Sequence, residues 1–213
     1  MNHVTIQTRF SDEDRKAIEE TVRDVESRTS GEIAVVVVRQ SARYREAEVL
    51  GGAFCASLVA LVLSVLFLHD SLWYYIVLSF VLYGPSFFLF HKIPALRLLL
   101  VGNRRRSAAV RERAFQAFYQ HRLYKTAEGT GVLFLISLAE RKVVVLADEG
   151  IYSKVEKEKF RSLAGMVSSG MKEGRPCESL CRAIQQAGDI LALHFPVKSG
   201  DRNELADTVR FEA

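Results

Sequence analysis

Charge is missing from two long stretches of this chain. Lysine, arginine, aspartate and glutamate make up 25% of its 213 residues, yet residues 49–68 (VLGGAFCASLVALVLSVLFL) and 72–90 (LWYYIVLSFVLYGPSFFLF) contain none of them. Each run has roughly the 20 residues needed to cross a hydrocarbon layer about 30 Å thick. A pair of buried core helices would explain them too, but a soluble domain around so large an apolar block would have to be far bigger. The runs predict a transmembrane helical hairpin. Lysine and arginine are also missing from the link between them, His69-Asp70-Ser71. They gather on the flanks instead: Arg39, Arg43 and Arg45 before the first run, then Lys92, Arg97, Arg104, Arg105 and Arg106 after the second. By the positive-inside bias, both flanks are cytoplasmic. The N-terminal residues show no charged-then-apolar secretory pattern, which agrees. The expectation is an integral protein of the inner, cytoplasmic membrane with both termini on the cytoplasmic side.

Cysteine and histidine patterns are missing as well. Cys55 falls in the first apolar run, and Cys177 and Cys181 form a C-x-x-x-C pair, not the C-x-x-C of redox and zinc sites. A cysteine phosphatase needs an arginine six residues after its thiolate. Leu61, Ala183 and Ala187 stand at those positions. His3, His69, His91, His121 and His194 are scattered, which argues against a histidine nucleophile or a two-metal hydrolase. Net charge is only +4, with the excess beside the apolar runs. Arg104-Arg105-Arg106 is therefore read as a topology signal facing lipid headgroups, and no nucleic-acid partner is expected.

What is present reads as an α/β domain in two pieces, residues 1–48 and 91–213, interrupted by the hairpin at 49–90. Ser11-Asp12-Glu13-Asp14 has the form of a capping box, and Ala17, Ile18, Val22 and Val25 recur at helical spacing. Thr29-Ser30-Gly31 stops that helix, and Glu32–Val38 is a continuous apolar run, the mark of a strand buried on both faces. A second helix is predicted over 103–123, strands over 132–138 and 143–146, and helices over 152–169 and 176–193. The two later strands are joined by a short polar link, so they pair antiparallel. The first reaches the second through a crossover, so those two are parallel. The fold class is a three-layer α/β/α sandwich on a small mixed sheet.

That topology gathers acids. The third strand runs back to end at Asp148-Glu149, on the sheet edge where Glu32 begins the first. Asp201-x-Asn203, after the last helix, belongs to a loop that can fold over that rim. Such oxygen donors suit a hard cation, calcium or magnesium. Each acid also has an ordinary explanation as a helix cap or turn residue. The small residues Gly52, Ala56, Ala60 and Ser64, each four apart, form a ridge for close approach of the second span.

The stretches TSGEIAV (29–35) and GVLFLISLAERKVVVLADEGI (131–151), with Ala183-Ile184, Gly188, Leu191, Phe195-Pro196 and Asp201-x-Asn203-Glu204-Leu205, resemble the TPM-domain family, named in part for a thylakoid acid-phosphatase-like protein. The resemblance covers nearly everything outside the hairpin. It implies an α/β/α sandwich, a divalent-cation site proposed for some members, and roles in assembly or repair of membrane complexes. Family acids map onto Glu32, Asp148 and Asp201, with Glu149 and Asn203 beside them. The chain departs from the family's commoner arrangement, because the hairpin interrupts the domain. The expected function is a non-enzymatic binding or assembly module, partnered by the bilayer and by a membrane or cytoplasmic protein. The alternative is a metal-dependent phosphatase using the same carboxylate rim.

Overall fold

The computed structural model describes residues 10–67, 72–126, 128–197 and 209–212. The chain divides into two compact units, Met1–Ser41 with Ser107–Ala213, and Ala42–Arg106.

The first unit is mixed α/β. Helix α1 (Asp12–Glu26) starts from a capping box: Ser11 Oγ accepts from the Asp14 amide at 3.1 Å, and Asp14 Oδ2 accepts from the Ser11 amide at 2.8 Å. The Ser11 amide bond also holds the Asp14 carboxyl below its usual pKa. Strand β1 (Glu32–Val38) pairs in parallel with β2 (Gly131–Ser137), which pairs antiparallel with β3 (Lys142–Ala147). This is the pairing that the crossover and the short link require.

A further strand, β4 (Arg210–Glu212), lies parallel to the end of β1, so the described sheet has four strands in the order β3-β2-β1-β4. Its three residues are too few and too polar to show a strand period. The pairing depends on β1 offering an open side at Val36–Val38.

Alternation sends each strand's side chains to two cores. On one face Ile33, Val35, Val37, Phe134 and Ile136 meet α1, α7 (Lys157–Lys172) and α8 (Pro176–His194). On the other, Ala34, Val36, Leu133 and Leu135 meet Val110, Ala114 and Phe118 of α5 (Asn103–Gln120), with Leu123 from a 3-10 turn at Leu123–Lys125. Residues Val132–Ile136 of β2 are fully buried, each contributing roughly 1.5–3 kcal/mol of transfer free energy. The helix anticipated from residue 152 is two elements. A single turn, α6 (Glu149–Tyr152), stops at Ser153, and α7 starts only at Lys157.

The second unit is helical: α2 (Arg45–Phe67), α3 (Leu72–Lys92) and α4 (Pro94–Leu100). The small ridge of α2 faces α3. A Cβ on Gly52 would stand 3.0 Å from the Phe87 Cα, and Ala56, Ala60 and Ser64 are buried. Ser57 Oγ meets Tyr75 Oη at 2.8 Å. Helix α4 packs back on the pair, with Leu100 against Gly51. Arg97 Nη1 donates to the buried Glu48 Oε1 at 2.5 Å, and His91 Nδ1 lies 3.4 Å from Glu48 Oε2. One carboxylate thereby ties three helices together.

Candidate functional site

The acids at the start of the sheet are positioned by backbone register. Glu32 is the Cα partner of Gly131, and the Asp148 amide donates to Gly131 O at 2.9 Å. Glu32 and Asp148 thus share one sheet edge, two interstrand steps apart, or about 10 Å between backbones. Both occupy strand positions in phase with the face that meets α5. Glu32 is buried, Asp148 is half-buried and Glu149 is exposed.

The space between them is occupied. A Cβ on Gly131 would meet Leu123 O at 2.6 Å, so the 3-10 turn fills the gap that glycine leaves. Among the described residues, no three His, Cys, Asp or Glu side chains converge as a metal-binding group. Asp201 and Asn203 lie outside the described residues. Asp148 is the N-cap of α6, its Oδ1 accepting from the Glu149 amide at 2.8 Å, and Glu149 lies in that helix's first turn, where the dipole favours an acid.

The rim is built by groups that sequence patterns did not single out. Glu26, at the end of α1, accepts from the Ile33 amide at 2.8 Å. That amide is on a part of β1 that β4 does not reach, so a side chain replaces the missing strand. Thr130 O accepts from the Glu32 amide at 3.2 Å, Thr130 Oγ1 donates to Ser30 O at 2.9 Å, and Thr126 Oγ1 accepts from the Thr130 amide at 2.9 Å. Thr29 Oγ1 donates to Phe195 O at 2.7 Å, fastening the rim to the end of α8. Gly150 allows close approach: a Cβ there would stand 2.4 Å from Glu128 O. Gly129 turns the loop with φ +65°. The one signal in the sequence for this network was the density of threonine and glycine beside the acids.

The remaining candidates are dispersed. Arg104, Arg105 and Arg106 occupy the first turn of α5, and Arg105 Nη2 reaches Glu46 Oε1 at 3.3 Å. Burial, with the neighbouring Cys181 second, pushes the Cys177 thiol up to about 12, so it stays protonated and a poor nucleophile at neutral pH.

No family model matches this chain, and no curated protein matches it. Among solved structures there is a likeness. The chain is similar in fold to the BA42 protein of the psychrophilic bacterium Bizionia argentinensis. That NMR structure superposes with a TM-score of 0.60 over 95% of each chain, at 21% sequence identity. At this identity the likeness concerns the fold alone.

Proposed function

We infer that this chain is a membrane-anchored α/β domain acting as a non-enzymatic docking or assembly module, as the resemblance to TPM domains implies. The observation that carries the reading is the surface of the hairpin. Helix α3 buries none of its residues, and Leu50, Phe54, Leu66, Trp73, Phe80 and Phe88 stand exposed. An apolar surface this long is a liability in water and is solvated by lipid. The arginines agree. Arg104, Arg105 and Arg106 occupy the positive end of α5 with no acid in its first turn, a dipole cost that an anionic headgroup layer offsets. In this reading the hairpin crosses the inner membrane with both ends, and the α/β domain, in the cytoplasm.

The rim is the ligand-facing edge of the module. Asp148 and Glu149 offer oxygen donors suited to calcium or magnesium, and Asp201 and Asn203 belong to the same proposed set, whereas Glu32 is separated from Asp148 by the turn at Leu123. Phosphatase chemistry has no specific observation in its favour.

The test is made on the full chain in detergent micelles. Calcium or magnesium should raise the unfolding midpoint as RT ln(1 + [L]/Kd), and Asp148→Asn should abolish the rise. No shift in either protein removes the cation from the reading. Impermeant-thiol labelling of Asp70→Cys and Glu149→Cys in oriented vesicles should modify the two from opposite sides. Labelling of both from one side would remove the spanning hairpin.

A further inference from the structure

Strand β3 stands at an edge of the sheet, and no described strand pairs with its outer side. The phase of its ladder follows from the bond between the Asp148 amide and Gly131 O. In an antiparallel pair, hydrogen-bonded and non-hydrogen-bonded residues alternate. Leu146, Val144 and Lys142 therefore turn their backbone groups toward β2, while Ala147, Val145 and Val143 turn theirs outward. The structure bears this phase out at Ala147, whose amide donates outward to Tyr152 Oη at 3.1 Å. Among the described residues, Val143 and Val145 remain as the open rungs.

Such an edge is usually blunted by charge, proline or a bulge. Here it reads KVVVLA, with one lysine at its start. The edge forms the floor of a groove of about 560 Å³. One wall is α5, with Arg111, Phe115 and Tyr119, and the other is α7, with Lys157 and Arg161. Phe115 and Tyr119 are 50% and 63% exposed, large aromatic surfaces that belong to neither core. Lys157 Nζ lies 5.1 Å from the Tyr152 ring centroid, and Arg161 pairs with the exposed Glu158 at 2.8 Å. Among the described residues, Asp148 is the one acid lining the groove, at its end.

The geometry points to this groove as the docking site for an extended, acidic segment of a partner protein, which adds to the sheet as a strand beside β3. Main-chain bonds to Val143 and Val145 supply affinity, and alternate side chains supply specificity. Side chains on one side of the added strand meet Phe115, Tyr119 and Arg111, and those on the other meet Lys157 and Arg161. Charge chooses the occupant. A second copy of this chain, pairing edge to edge, would bring Arg111, Lys157 and Arg161 against their own counterparts, whereas an acidic strand is complementary on both walls. This deepens the docking reading above by naming the partner's chemistry, and it does not depend on a cation at the rim.

The test uses the full chain in detergent micelles and a seven-residue peptide alternating glutamate with valine around a central phenylalanine. Bound peptide should slow amide exchange at Val143 and Val145 by at least about tenfold. The same peptide N-methylated at every residue keeps its charge but offers no donor to the Val143 and Val145 carbonyls and sets methyl groups against the edge, so it should bind at least about tenfold more weakly. The double variant Arg111→Glu/Lys157→Glu should bind at least about tenfold more weakly while keeping the parent's response to calcium. Equal binding of both peptides would overturn the proposal, because charge alone would then suffice. So would absence of protection at about 1 mM peptide. Concentration-dependent protection of the same amides without peptide, together with dimers in sedimentation, would also overturn it in favour of a second copy. Failure here with an intact calcium response leaves the rim reading standing, and the converse result leaves the groove.

Discussion

Gly150→Ala is the sharpest perturbation of the rim, because one methyl group meets main chain on two sides. The new Cβ would stand 2.4 Å from Glu128 O and 2.7 Å from Gly129 O. Neither atom ends a flexible side chain, so the loop itself must retreat by about 1 Å to reach ordinary contact. That loop is held by the Gly129 amide on Thr126 O at 3.1 Å and by the Thr130 amide on Thr126 Oγ1 at 2.9 Å. Thr130 O in turn accepts from the Glu32 amide at the start of β1. Movement therefore strains the first rung of the parallel pair, and the overpacking should cost about 1–3 kcal/mol. The assay must see the α/β domain alone. Trp73, the one tryptophan, belongs to the hairpin and is blind to it. Amide exchange of the fully buried Leu133–Leu135 segment of β2 reports global opening, and should quicken by about 5- to 150-fold. Gly165→Ala is the matched control. It is exposed in α7, and its Cβ would meet nothing within 4 Å, so it should stabilise by up to about 1 kcal/mol. A Gly150→Ala protein within twofold of its parent, or two variants shifting in the same direction, would refute the claim that the loop is seated on Gly150.

Two further outcomes are expected. Burial, then Arg210, hold His121 below its usual pKa of 6.5, against the opposing pull of Glu212, which His121 Nε2 meets at 3.0 Å while Arg113 pairs with the same carboxylate. The unfolded chain takes up the proton more readily, so this contribution to stability is complete above about pH 6.5 and shrinks as pH falls from there toward the folded pKa. His121→Gln should flatten the fall in unfolding midpoint between about pH 7 and 5.5, and an unchanged slope would contradict the assignment. In the helical unit, Arg97→Gln leaves buried Glu48 beside His91 alone, at a cost of about 3–5 kcal/mol that Glu48→Gln/Arg97→Gln should largely restore. SDS titration followed by Trp73 fluorescence measures both, and a double variant as unstable as the single would show that the ion pair is not what ties the three helices.

Much of the architecture was written locally. Two charge-free runs separated by three residues prescribe a helix pair whatever surrounds it, and the four-residue spacing from Gly52 to Ser64 names the contact face. The short link before Val143 leaves β2 and β3 no choice but an antiparallel pair, and with a parallel crossover from β1 this brings Glu32 and Asp148 to one edge. Element ends were less legible. Nothing in 149–160 announces that the helix stops at Tyr152 and restarts at Lys157, because Tyr152 is engaged elsewhere, on the Ala147 amide.

The sequence by itself determined that this protein has an apolar helical hairpin set into an α/β domain, because periodicity, charge and link length act over a few residues. Only the tertiary structure decided whether the acids on the shared edge adjoin one another, since the obstacle between them, Leu123, comes from a turn eight residues before Gly131 with no sequence mark of its own. Only the tertiary structure could show β4 on β1, Glu26 standing in for a missing strand, and the open rungs of β3 between cationic walls. Each is a question of which backbone group finds a partner, and a hydrogen bond between distant segments is settled only when both have been brought to the same place.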